Sequence, residues 1–204
     1  MPSYYLALGD SITAGYGVGS RNFAYLYYSY LRSFNPNLRY INYGINGLTT
    51  GGLANLLSTN VNLKNLVTQA EVITITIGSN DLLHAAVSIL LETKVDIFAT
   101  LANMERNLDF IGSQIRHLNP RVLVKAGTIY NPLPAGPYSR YSGQAQPIIT
   151  QANKILVLWA KRYGFNVVPI DQAFQSRERL IIGPDHLHPN FQGHQIIATE
   201  FARN

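Results

Sequence analysis

A serine hydroxyl attacks an acyl carbon only when a base removes its proton, and an imidazole base works best when a carboxylate fixes its tautomer and stabilises the imidazolium. That chemistry asks for a histidine close to an acid. Near its C-terminus the chain reads Asp185-His186-Leu187-His188-Pro189. A turn stopped by the proline can fold the Asp185 carboxylate against Nδ1 of His188 and leave Nε2 free. His186 competes for the same carboxylate, but a residue adjacent to Asp185 is less able to fold back on it, so His188 is the expected base. A serine to be activated stands near the other end, in Gly9-Asp10-Ser11-Ile12. Taken alone, a serine between a strand and a helical segment is usually an N-cap.

The elements between these residues must carry them to one place. Tyr4 to Leu8 is a short apolar run closed by Gly9, which fits a buried strand. Asn22 to Phe34 repeats apolar and aromatic residues at three and four, an amphipathic helix that stops before Pro36. Its tyrosines Tyr25, Tyr27, Tyr28 and Tyr30 are read as core rather than as an acyl-binding wall. Arg39 to Tyr43 is a second strand, Thr49 to Leu57 and Asn60 to Thr68 are helical, and Val72 to Ile77, rich in β-branched residues, is a third strand. A long helix runs from Asp96 to Leu118 and closes at Asn119 and Pro120, before a fourth strand from Val122 to Ala126. Asn131 to Gly143, with three prolines and two glycines, is expected to be an irregular surface loop. A helix from Gln146 to Tyr163, a fifth strand from Asn166 to Ile170, mostly loop from Asp171 to Asp185 and a terminal helix from Phe191 to Ala202 complete the chain.

Strand and helix alternate throughout, the pattern of an α/β protein whose parallel sheet is covered on both faces. In such a sheet the functional site lies outside the carboxyl ends of the strands. Gly9, Asp10 and Ser11 follow the first strand, Gly44 to Gly47 the second, and Gly78, Ser79, Asn80 and Asp81 the third. These three turns should share one rim.

The blocks Gly9-Asp10-Ser11-Ile12 and Asp185-x-x-His188-Pro189 resemble the first and last blocks of the GDSL, or SGNH, hydrolase family. The middle blocks match as well: Gly47 in Ile45-Asn46-Gly47-Leu48-Thr49, and Asn80 in Gly78-Ser79-Asn80-Asp81. The resemblance spans residues 9 to 189 and implies a three-layer α/β/α sandwich, flavodoxin-like, with five parallel strands in the order 2-1-3-4-5. It also implies an esterase, lipase or related acyl hydrolase, with Ser11, His188 and Asp185 as catalytic triad. The implied oxyanion hole comprises the backbone N–H groups of Ser11 and Gly47 and the side-chain amide of Asn80. The family spacing likewise favours His188 over His186. Asp10 and Asp81 are read as structural, holding their turns by side-chain to backbone hydrogen bonds.

Length and composition limit the alternatives. A chain of 204 residues suits one domain, taken as 1–204. Only 13% of its residues are charged, against about 25% on average, so its surface must lean on neutral polar groups. Sixteen Lys and Arg against eleven Asp and Glu give +5, but the basic residues are scattered, and no nucleic-acid partner is expected. Cysteine is absent, which excludes disulfides and thiolate chemistry. The remaining histidines (His84, His117, His194) stand outside any ligand-spaced cluster, so neither a metal nor a cofactor is expected. His84, just beyond Asn80, is the one that could line a pocket.

No apolar run approaches the ~18 residues of a transmembrane segment. Met1 to Leu8 carries no charged n-region or small-residue cleavage site, so no signal peptide is expected in this sequence, whether the protein is cytoplasmic or exported and trimmed.

Among hydrolases, a lipid-like or simple acyl ester is favoured over a carbohydrate O-acetyl ester. The stretch Leu82 to Leu91 has only His84 and Ser88 polar, and the single tryptophan, Trp159, falls mid-helix rather than on a sugar platform. A non-catalytic flavodoxin-like binding module is the other-class alternative. It would use Gly9 to Gly19 as a phosphate loop, yet no lysine follows those glycines and G-x-G-x-x-G does not occur there.

Overall fold

The first strand, β1 (Tyr4–Gly9), is buried over five of its six residues in a computed structural model that describes residues 3–90 and 96–204. A strand with neighbours on both sides and helices on both faces has no water-facing side, which is why its sequence is an apolar run without alternation. Parallel to it lie β2 (Arg39–Gly44) and β3 (Ala70–Thr76). β4 (Leu123–Gly127) pairs with β3, and β5 (Asn166–Val168) pairs with β4, giving the parallel order β2-β1-β3-β4-β5. This is the order 2-1-3-4-5 that the sequence resemblance implied.

Helices α1 (Ser11–Ala14) and α2 (Phe23–Arg32) lie between β1 and β2; α3 (Thr50–Thr59) and α4 (Val61–Gln69) precede β3. Next come α5 (Ser79–Leu90) and α6 (Ile97–Leu118) before β4, and α7 (Ser142–Arg162) before β5. Three more follow: α8 (Ile170–Phe174), α9 (Glu178–Ile181) and α10 (Phe191–Arg203). Side chains that alternate along the strands divide the core. Leu6, Leu8, Ile73, Ile75 and Val124 pack beneath α3, α4, α6 and α7, whereas Tyr5, Ala7, Val72 and Val168 pack beneath α1, α2, α8 and α10. Three layers result, with the sheet in the middle.

The structure departs from the sequence reading in several places. β5 ends at Val168 rather than Ile170, because Pro169 has no N–H for the ladder, and Ile170 instead opens α8. The segment Asp171 to Asp185, expected to be mostly loop, carries α8 and α9, whose buried residues Ile170, Phe174 and Ile181 are too few to display a period. Leu82 to Leu90 belongs to α5, while Leu91 lies outside the described residues. α7 begins at Ser142, four residues before the expected Gln146. Asn131 pins that extra turn, its amide donating to the Ser142 hydroxyl at 3.2 Å and to Gln146 Oε1 at 3.1 Å. The proline-rich loop 131–143 contains two 3-10 turns, Leu133–Ala135 and Ser139–Tyr141. Of the four helix tyrosines only Tyr27 is core; Tyr25, Tyr28 and Tyr30 are partly or largely exposed and stack beside Tyr40, Tyr27 and one another.

Candidate active site

Ser11 is the first residue of α1 and is buried. Its position follows from two backbone contacts. A Cβ on Gly9, whose φ is +150°, would stand 2.3 Å from the Thr76 carbonyl oxygen, and the Asp10 N–H donates to that same oxygen at 3.0 Å. On the other flank a Cβ on Gly44, which pairs with Gly9 across the ladder, would come within 2.2 Å of Ala14 N. The Ser11 turn thus lies directly on the bare ends of two strands. Asp10 caps α1, its Oδ1 accepting from the Ile12 N–H at 3.0 Å, in keeping with a structural role.

The C-terminal turn reaches this point from the opposite side. Gly183 N–H donates to the His188 carbonyl at 2.7 Å and Asn190 N–H to the Ile181 carbonyl at 2.8 Å, with Ile182 and Pro189 bridged between them. Inside that turn, Asp185 Oδ1 accepts from the N–H groups of Leu187 and His188, at 3.1 and 3.0 Å, and Oδ2 lies 2.6 Å from Nδ1 of His188. A carboxylate can only accept, so Nδ1 carries the proton and Nε2 is left as an acceptor. Ser11 Oγ stands 2.9 Å from that Nε2 and donates to it. Partial burial works to raise the Asp185 carboxyl, but the hydrogen bonds from the His188 ring and the two backbone N–H groups outweigh it and hold the group below its ordinary value.

His186 goes elsewhere. It occupies the left-handed region at φ +59°, and its side chain packs against Gly136, where a Cβ would meet it at 2.7 Å.

Asn80 lies in the first turn of α5, buried, with its amide donating to the Leu48 carbonyl at 3.0 Å. Gly47, adjacent to Leu48, is exposed, and its φ of +78° is one that favours glycine. The backbone N–H groups of Ser11 and Gly47 have no acceptor among the described residues. Asp81 does not hold its own turn as expected; its carboxylate reaches across to the start of α3, accepting from the Thr50 N–H at 2.9 Å and the Thr50 hydroxyl at 2.6 Å. The two carboxylates thus serve different turns.

A cavity of about 180 Å³ opens beside these groups. Ser11, Asn80 and His188 stand at its polar end, and Leu82, Leu83, Ile97, Ile129, Ile148 and Ile149 supply much of the apolar wall. The loop 131–143 contributes Asn131, Pro132 and Leu133. His84 is exposed and takes no part in the lining, and Trp159 is buried in the core.

Burial pushes the Asp10 carboxyl, which also borders the cavity, up to about 7 against the opposing hydrogen bonds from Ile12 and Thr76. His194 is fully buried behind the site, its Nδ1 accepting from the Phe23 N–H at 3.1 Å, and burial pushes it down to about 4. Among the described residues, no group of three or more His, Asp or Glu is placed to hold a metal ion, and no helix is long and apolar enough to cross a membrane.

Two contacts were not anticipated from the sequence. The Tyr130 hydroxyl donates to the Leu187 carbonyl at 2.8 Å, and the Tyr16 ring lies on the His188 imidazole with centroids 4.4 Å apart. Tyr130 follows the carboxyl end of β4, so the strand-end rule could have selected it. Nothing in the spacing of Tyr16 marks it.

A parallel sheet of order 2-1-3-4-5, covered by helices on both faces and bearing this site at its strand ends, is the α/β/α fold of the SGNH hydrolases. The sequence model of the GDSL-like lipase/acylhydrolase family matches residues 7–196; the chain belongs to that family and is a carboxylic ester hydrolase. The spore germination lipase LipC of Bacillus licheniformis is 26% identical over 208 residues, which take in 98% of this chain and 95% of LipC. The crystal structure of Lip_vut3, a lipase from a goat rumen metagenome, matches with a TM-score of 0.85 at 24% identity, covering 98% of this chain and 96% of the other. Axe2, an acetylxylan esterase from Geobacillus stearothermophilus, shares the fold with a TM-score of 0.66 at 21% identity, over 99% of this chain and 93% of its own.

Proposed function

We propose that this hydrolase, as one domain spanning residues 1–204, cleaves lipid-like or simple acyl esters through an acyl-enzyme on Ser11. The observation that carries the reading is the unbroken hydrogen-bonded row from Ser11 through His188 to Asp185, ending at an apolar cavity. Ser11 Oγ attacks the ester carbonyl as Nε2 of His188 takes its proton, and Asp185 holds the imidazole in the required tautomer. The N–H groups of Ser11 and Gly47 and the amide of Asn80 receive the developing oxyanion. The proton on Nε2 passes to the departing alcohol, and water, activated by the same imidazole, frees the acid.

The apolar wall supports an acyl chain over a sugar. Each methylene buried there is worth about 0.8 kcal/mol, so kcat/KM should rise with chain length until the cavity is filled. A p-nitrophenyl ester series from acetate upward, run beside acetylated sugars, tests the substrate class. Faster turnover of acetylated sugars than of every longer acyl ester would favour the carbohydrate O-acetylesterase reading. Ser11→Ala tests the mechanism: the fold should persist and turnover fall to background, whereas more than a few per cent of residual activity would remove Ser11 as nucleophile. A wild-type protein inert on all of these esters would leave the non-catalytic binding module.

A further inference from the structure

Tyr16 and Ser11 reach His188 from the same short turn. The Tyr16 backbone N–H donates to the Ser11 carbonyl at 2.9 Å, so ring and nucleophile are carried by one rigid piece of chain. Ser11 Oγ meets the imidazole at its edge, through Nε2, and Asp185 meets it at its edge through Nδ1. Tyr16 instead meets a face, its ring tilted by 36° to the imidazole at 4.4 Å between centroids. Its phenolic oxygen makes no hydrogen bond among the described residues, and the side chain is half exposed, so neither a polar contact nor core burial accounts for where the ring lies.

An aromatic face within about 6 Å of a cation attracts it through the ring quadrupole. In the reactive arrangement Nε2 of the imidazole accepts from Ser11, and the ring becomes a cation as it takes the Ser11 proton. A ring on its face therefore favours the state reached during acylation over the resting one. The other titratable groups near His188 cannot supply this. Asp185 acts at Nδ1 on the edge of the ring, Asp10 and Tyr130 border the site from the turns after β1 and β4, and His194 on α10 is held neutral by burial.

We propose that Tyr16 is a positioning residue for ester hydrolysis: its ring face holds the His188 imidazole in line with Ser11 and stabilises the imidazolium, while its hydroxyl takes no part. The inference rests on His188 acting as the base.

Three substitutions separate the ring face from bulk and from the hydroxyl. Tyr16→Phe keeps the face, Tyr16→Leu keeps apolar cover without it, and Tyr16→Ala removes both. On a short chromogenic ester, Tyr16→Phe should retain kcat, whereas Tyr16→Leu and Tyr16→Ala should lose roughly 2- to 30-fold in kcat at constant KM. The acid limb of their pH–rate profiles should move to lower pH, a shift that a purely structural side chain would not cause. The proposal is overturned if Tyr16→Phe loses as much as Tyr16→Ala, if Tyr16→Leu matches the parent, or if the acid limb stays in place. His188→Ala, assayed alongside, keeps the two readings apart. Activity retained there refutes the base, and activity lost there with a normal Tyr16→Leu refutes only the role of Tyr16.

Discussion

The side-chain amide of Asn80 donates to the carbonyl of Leu48, joining the first turn of α5 to the loop after β2 at 3.0 Å. One amide proton is fixed by that bond and the other remains for a ligand. Because Leu48 adjoins Gly47, the same bond couples two of the three proposed oxyanion donors. Asp81, the next residue, grips Thr50 through both carboxylate oxygens, so consecutive residues of α5 hold the loop after β2 and the start of α3.

Asn80→Ala should therefore lower kcat by about 10² to 10³ with little change in KM, the usual worth of one oxyanion donor. Asn80→Asp should be worse at neutral pH, since a carboxylate offers no donor and repels the developing charge. Kinetics measured beside the melting temperature decide the matter. A destabilised Asn80→Ala protein with near-normal kcat would reduce Asn80 to a tie between loops.

His188→Ala should cost several orders of magnitude in kcat and His186→Ala far less, because the His186 side chain packs on Gly136 and, among the described residues, makes no hydrogen bond to Ser11 or Asp185. Equal losses would unseat His188.

Tyr130→Phe deletes the hydrogen bond to the Leu187 carbonyl while leaving the ring against Phe174. The net cost should be about 1 kcal/mol in thermal or denaturant unfolding. If the turn carrying His188 loosens as well, kcat should fall by up to about fivefold, as follows when all of that energy is felt in the transition state. Unfolding curves and kcat of the single variant check both.

Asp10 and His194 should oppose each other in stability against pH. Between its ordinary 3.8 and about 7, Asp10 is protonated in the folded protein and ionised in the unfolded chain, so its contribution falls as pH rises. Between about 4 and its ordinary 6.5, His194 is neutral when folded and protonated when unfolded, so its contribution rises with pH. The two slopes largely cancel in the parent. Asp10→Asn, which keeps an acceptor for the Ile12 N–H, should unmask the His194 slope and give a melting temperature that climbs from about pH 4 to 6.5. A melting temperature as flat as that of the parent would refute this pairing.

Much of the site was legible because its parts are local. The Asp185 to His188 turn is four residues long and stopped by a proline, and Ser11 follows a strand whose apolar run is unmistakable. Spacing alone was not sufficient, since Asp81 and His84 stand at the same interval yet do not meet: Asp81 turns to Thr50 and His84 to solvent. What decides between the pairs is helix against tight turn, a property of the segment rather than of the residue types. Tyr16 and Tyr130 escaped notice because each acts on a residue more than fifty positions away, a contact that only the assembled sheet creates. The short helices α8 and α9 escaped because a single turn exposes too few apolar positions to show a period.

The meeting of Gly9 and Gly44 beneath α1 has a consequence for how this chain can change over generations. Gly44 rests on the main chain of α1, and beside Gly9 the space is taken by the Thr76 carbonyl and the Thr13 and Thr76 hydroxyls, so neither strand end has room for a methyl group. The height of Ser11 above the sheet is consequently set by the Gly44 to α1 backbone contact and the two threonine hydroxyls beside Gly9, and not by the volumes of Leu6, Ile73 or Phe23. Substitutions that swell or shrink the two cores can accumulate without carrying the serine out of reach of His188, whereas one added carbon at either glycine would displace it at once. Drift in the interior and constancy at the rim are thus compatible within a single fold.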